Sequence, residues 1–271
     1  MKIIVSHDVD HIDTRDHLAK DLILEKMFIR SFIQFFRREI STKTFFYRIS
    51  MAFRGRMNRI EEVMKYDQEH HIPSTFFFGM SSALGMSYSK KKAKKYIELV
   101  EAEGFDTGVH GCEYIRQKLM RKEFESFAEL SGKGTFGIRN HYVRYDDNTF
   151  EKMEKTGYLF DSTRFNKAEI ELLKPYKVGE MWEFPLHIMD VYICKQGQLQ
   201  QGIKKTHGII DEAERSGLNY LTILFHDYQY DDVFDPQLKK WYEDTIQYCE
   251  NKGFGFVSYR DAIREMEIEN N

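Results

Sequence analysis

Residues 1–11, MKIIVSHDVDH, carry a short apolar run directly into a cluster of acids and histidines. Ile3, Ile4 and Val5 are consecutive β-branched residues, so Lys2 to Val5 reads as a buried strand. Asp8 and Asp10 follow, two positions apart. In extended chain their carboxylates point to one side, with His7, Val9 and His11 on the other. Two carboxylates held side by side repel each other unless a cation or a shared proton relieves them. A divalent metal is one solution, with one Asp as ligand and the other as base. Taken alone, the same residues fit a pair of caps on the turn after the strand equally well.

Working outward, strand-like and helix-like runs alternate from residue 70 to the C-terminus. Expected strands are 74–78 (STFFF), 105–110, 135–141, 159–162, 181–193, 220–226 (YLTILFH) and 255–259. Expected amphipathic helices lie near 90–103, 114–130, 149–156, 202–216, 237–251 and 260–268, several of them stopping at a glycine such as Gly104, Gly157, Gly217 or Gly253. This alternation implies parallel βαβ units, and seven or eight of them imply an α/β barrel more than an open sheet. With no repeat, low-complexity tract or linker, residues 1–271 read as a single barrel domain with a helical insertion at about 11–70. In such barrels the reacting groups sit where strands end, at the C-terminal face. Here strands end at Asp8 and Asp10, at His110, at Arg139 and His141, at Asp161, and at His226 and Asp227.

The composition narrows the setting. A chain of 271 residues with 42% hydrophobic and 31% charged content suits a folded α/β protein, and its net charge of −3 argues against nucleic-acid binding. Cys112, Cys194 and Cys249 have no metal-ligand spacing and no even-numbered framework. No basic region and long apolar run precede a cleavage site, and no stretch approaches the roughly 20 apolar residues of a membrane span. The expected location is the cytoplasm.

The strand-end residues resemble the motifs of the polysaccharide deacetylase (NodB-homology) family, metal-dependent amide hydrolases on an irregular (β/α) barrel. SHDVD at 6–10 resembles the first motif, STFFF at 74–78 the apolar second strand, GVHG at 108–111 the second motif, GIRNHY at 137–142 the third, FDST at 160–163 the fourth and ILFHD at 223–227 the last. The resemblance implies Asp8 as catalytic base, Asp10 and His110 as metal ligands, and Arg139 as the group that steadies the base. It implies the Tyr142 backbone N–H as oxyanion donor, and His226 as the acid that protonates the leaving amine, with Asp161 as its polar partner. One position departs from the pattern: the second motif's HxxxH would need histidine at 114, where this chain has Tyr114. The resemblance implies His141, where the family commonly has proline, as the replacement third ligand, as in members with a similar HDVD opening and RxHY third motif, with Glu113 as the weaker substitute. The implied cofactor is one divalent metal, zinc first, and the implied reaction is removal of an acetyl group from an N-acetylated sugar or glycan precursor. An amide hydrolase for a small non-sugar substrate and an inactive glycan- or protein-binding barrel are the alternatives.

Residues 28–60 stand apart. Arg30, Arg37, Arg38, Lys43, Arg48, Arg54, Arg56 and Arg59 face a single acid, Glu39, and are interleaved with Phe28, Phe32, Phe35, Phe36, Phe45, Phe46, Tyr47 and Phe53. The expectation is a helix pair packed on the barrel with its aromatics inward and its arginines solvated. Contact with an anionic membrane surface or a phosphate-bearing substrate is the alternative.

Overall fold

The computed structural model describes residues 1–17, 21 and 23–269; residues 18–20 and 22 of the expected insertion, and the last two of the expected domain, lie outside the described residues. Strand β1 (Lys2–Val9) leads to helices α1 (Ile23–Phe36), α2 (Thr42–Arg54) and α3 (Ile60–Glu69). There follow β2 (Thr75–Gly79), α4 (Lys90–Ala102), β3 (Asp106–Gly111), α5 (Gln117–Ser131), β4 (Ile138–Asn140), α6 (Thr149–Thr156) and β5 (Phe160–Asp161). The chain continues through β6 (Tyr176–Val178), β7 (Met181–Glu183), β8 (Ile188–Met189), α7 (Asp190–Ile193), α8 (Leu199–Arg215), β9 (Tyr220–Leu224), α9 (Pro236–Asn251), β10 (Gly255–Phe256) and α10 (Tyr259–Glu269).

The strands form one curled sheet in the order β6-β7-β5-β4-β3-β2-β1-β9-β8, with β10 also on β1. All pairs are parallel except the β6–β7 hairpin. The expected α/β barrel is thus the observed architecture, closed by an irregular stretch. The expected long strand at 181–193 is instead two short strands and a helical turn, because Pro185 has no N–H to continue a ladder. Residues 181–183 pair with β5 and residues 188–189 with β9, so one length of chain joins the two sides of the sheet. Leu186 N–H to the Arg164 carbonyl (2.8 Å) carries the crossing.

Alternation along β1 sorts its side chains. Ile3, Val5 and Val9 face outward into the layer between sheet and helices, whereas Ile4 joins Phe77, Phe160, Trp182, Phe184 and Tyr220 inside the barrel. Phe76, Phe77 and Phe78 are all fully buried because both faces of the sheet are covered, which is why STFFF reads as an unbroken apolar run. Helix α10 packs Tyr259, Ala262, Ile263 and Met266 against this interior. Glu265 holds it at the strands' N-terminal ends through Lys2 Nζ (2.5 Å) and the Tyr220 hydroxyl (2.7 Å). The C-terminal ends are left for the polar groups. No helix among the described residues is long and apolar enough to cross a membrane.

Candidate active site

β1 is longer than its apolar run because Ser6 to Val9 pair with Thr75 to Phe78 of β2. Pairing extends the inside–outside alternation into the polar residues. Outward-facing His7 is held by Asp67 (2.8 Å) and the Phe225 carbonyl, a structural role. Ser6 and Asp8 face inward, where both meet Arg139. The Arg139 guanidinium is fully buried and every N–H has an acceptor: Nη1 bonds Ser6 Oγ (2.8 Å) and Asp8 Oδ1 (3.2 Å), Nη2 bonds Ser162 Oγ and the Tyr259 hydroxyl, and Nε bonds the Ser162 carbonyl. It lies over the Phe77 ring at 4.8 Å. A buried guanidinium so fully bonded is fixed in place and holds the Asp8 carboxylate at a set position beside it.

β3 pairs with β4 so that His110 lies opposite Arg139, and His141 follows at the end of β4. Asp10, His110 and His141 come together, with one ligand atom from each lying within 4.8 Å of the others. Asp10 Oδ1 is 3.3 Å from His110 Nε2 and 3.2 Å from His141 Nδ1, and the two ring nitrogens are 3.1 Å apart. The far nitrogen of each ring faces a backbone carbonyl, His110 Nδ1 that of Arg139 (2.9 Å) and His141 Nε2 that of Leu84 (2.9 Å). Those carbonyls require N–H on the far side, which leaves a lone pair on each near nitrogen. Asp10 Oδ1 is buried with no hydrogen bond. Two nitrogen lone pairs and an orphaned carboxylate oxygen facing one point need a cation, so this donor set fits a divalent metal. The electrostatics agree. Burial works against ionisation of Asp10, but His141, His110 and His226 hold its carboxyl well below the usual range, and Asp10 in turn raises His141 against the cost of that ring's burial.

His226 follows β9 with its backbone N–H on Asp190 Oδ2 (2.7 Å) and its Nδ1 between both Asp190 oxygens (2.9 and 3.0 Å). Its Nε2 is 3.7 Å from Asp10 Oδ2. Burial disfavours charge on this ring, yet Asp190 above all, with Asp10 and Asp8, raises it to about 10.

The expected pairing of His226 with Asp161 is therefore corrected: Asp190, at the end of β8, is its partner. Asp161 takes bonds from the Thr163 hydroxyl (2.5 Å) and N–H (3.1 Å). It sits beside Glu183, and burial pushes both carboxyls up, Glu183 well above its ordinary value with the charge of Asp161 adding. Glu113 is also out of place as a ligand, since both its oxygens bind Arg116 and the turn before α5. His11, expected on the side of β1 away from the acids, lines the same cavity as Asp8 and Asp10, because the strand ends at Val9 and its alternation ends there. Asp190 carried a usable signal, an acid directly after an apolar run, but the run around Pro185 concealed where the strand stopped.

Tyr142 and Val143 both have positive φ (59° and 47°), which is strained for non-glycine residues and severe for a β-branched one. Lys167 Nζ on the Tyr142 carbonyl (2.9 Å) and the Tyr142 hydroxyl on the Leu84 carbonyl (3.1 Å) hold this turn at the site. Asp8, Asp10, His110, His141, Tyr142 and His226 line one cavity of about 210 Å³.

The whole chain can now be set against known structures. It superposes on a protein assigned as a polysaccharide deacetylase from Mycobacterium smegmatis with a TM-score of 0.62 at 15% identity, covering 98% of this chain and 89% of that one. Its fold is that of the polysaccharide deacetylases. The Colletotrichum lindemuthianum chitin deacetylase matches at 0.50 and 12% identity, covering 94% of this chain and 84% of that one. The PuuE allantoinase matches at 0.57 and 18% identity, covering 76% of this chain and 72% of that one. The deacetylase fold thus also hosts an enzyme named for another substrate. No family model and no curated protein sequence matches the chain.

Proposed function

We propose that the chain is a metal-dependent hydrolase that removes an acetyl group from an N-acetylated sugar or glycan precursor. The observation that carries this reading is the convergence of ligand atoms from Asp10, His110 and His141 on one point, flanked by two differently supported groups, Asp8 and His226. A divalent ion held by that trio, zinc first for a donor set of two nitrogens and a carboxylate, would supply a Lewis acid for an amide carbonyl and acidify a water. Asp8, positioned by Arg139, takes the proton of the attacking water. His226, oriented by Asp190 with Nε2 toward the cavity, passes a proton to the departing nitrogen. The strained turn at Tyr142 aims its N–H at the oxygen on which charge develops. The unbridged Cys112, Cys194 and Cys249 support action in a reducing compartment such as the cytoplasm.

A second reading, hydrolysis of a small non-sugar amide, draws support from the allantoinase match and the modest cavity. One screen separates the readings: acetate release from N-acetylated mono- and oligosaccharides, alongside ammonia or amine release from small amides, after chelation and after zinc is restored. Zinc-dependent acetate release from a sugar is the expected result. Turnover of small amides alone would favour the second reading, and metal binding without any turnover would leave an inactive binding barrel.

A further inference from the structure

Helices α1 and α2 turn their apolar faces outward. On α1, Ile29, Phe32, Ile33 and Phe36 recur at the spacing of one helix face. Those residues are exposed, Ile29 at 62% and Phe36 at 79%. The buried positions of the same helix include Ser31 and Gln34, and Gln34 accepts a bond from Arg48 of α2 (2.6 Å). Helix α2 repeats the pattern. Its Arg48 is buried and bonded to the Phe234 carbonyl, while Phe46 and Phe53, two turns apart, are exposed at 64% and 90%. Ring contacts run from Phe36 through Phe35 and the buried Phe45 to Phe46, so the rings of the two helices pack as one group. The sequence expectation of inward aromatics fails here; among the phenylalanines of the pair, Phe45 is the buried one.

Leu24, Phe45 and Met51 join Ser31, Gln34 and Arg48 on the buried side, yet the pair still exposes a group of large apolar side chains, and exposed apolar patches of this kind mark interaction surfaces. The charge around the patch selects the occupant. Arg37, Arg38 and Lys43 are exposed where the two helices join, against Glu39, which pairs with Arg37 (4.0 Å), in a chain whose net charge is −3. A second copy docked by two-fold symmetry would bring these cations against their own counterparts. An anionic bilayer would instead accept the rings at the headgroup boundary and the cations among the headgroups, where their stems can snorkel.

We propose that the α1–α2 hairpin seats the protein on an anionic lipid surface through Phe36, Phe46, Phe53 and their neighbours, with Arg37, Arg38 and Lys43 on the headgroups. This reading goes beyond the hydrolase assignment and does not depend on it.

The test is co-sedimentation of the full chain with phosphatidylcholine vesicles, with and without about one third phosphatidylglycerol. The expected result is binding to the anionic vesicles alone, weakened by salt. It should fall at least tenfold in the double variant Phe36→Gln, Phe53→Gln and become salt-insensitive and weaker in Arg37→Gln, Arg38→Gln. Circular dichroism and metal content of each variant should match the parent, since none of these side chains belongs to the core or the metal site. No binding to anionic vesicles, equal binding to neutral ones, or unchanged binding by the Phe variant would overturn the proposal. So would light scattering that shows a stable dimer converted to monomer by the Phe variant, which would give the patch to a second copy.

Discussion

At the barrel mouth, charged side chains are buried; on the α1–α2 hairpin, large aromatic side chains are exposed. Both invert the usual partition of residues, and the manner of inversion differs in a way that teaches something about each. The buried charges are compensated within the chain, Asp8 by Arg139, His226 by Asp190, each His ring by a carbonyl. Asp10, His110 and His141 instead turn ligand atoms toward one another, and Asp10 Oδ1 has no hydrogen bond. On the hairpin Phe36, Phe46 and Phe53 remain largely exposed among the described residues. An incomplete centre inside a complete scaffold calls for an ion, and an uncovered apolar face calls for a surface.

The largest effect should come from the compensated charges. Asp8→Asn should keep the metal and lower turnover by roughly two to four orders of magnitude, the worth of a positioned base, as measured by acetate release. Near-parental turnover would reduce Asp8 to a structural partner of Arg139. Next in size is the contrast between two phenylalanines. Phe77→Ala, inside the barrel and beneath Arg139, should cost about 3–5 kcal/mol in denaturant unfolding. Phe36→Gln on the hairpin should change stability by less than about 0.5 kcal/mol. Comparable losses at both positions would erase the distinction between the regions. Asp190→Asn should lower activity roughly 10–100-fold, as expected for loss of an orienting partner, while Asp161→Asn should leave the leaving-group dependence of the rate unchanged. The reverse outcome would return the acid's partner to Asp161.

The strand ends were legible because several apolar runs each stop at an acid or histidine, and the ends of parallel strands in a barrel share one face. Asp8, Asp10, His110, Arg139, His141 and His226 all sit at such ends, and the alternation along β1 follows from the same pattern. Asp190 was harder to see. Its strand is interrupted by Pro185, and pairing switches from β5 to β9 across that break, a tertiary event with no periodic signal. Strand β6 was missed for a related reason: it is an antiparallel edge strand of Tyr176–Val178, too short and polar to stand out. The hairpin shows a different limit. Periodicity reveals that a helix has an apolar stripe, but not whether the protein or something outside it receives that stripe.

The most direct measurement is the metal content of the purified protein beside its His141→Ala variant. The account predicts about one divalent ion per chain in the parent and severe loss in the variant, because a site with three protein ligands does not survive the removal of one. An unchanged metal content in His141→Ala, or a parent that takes up no divalent ion, would contradict it.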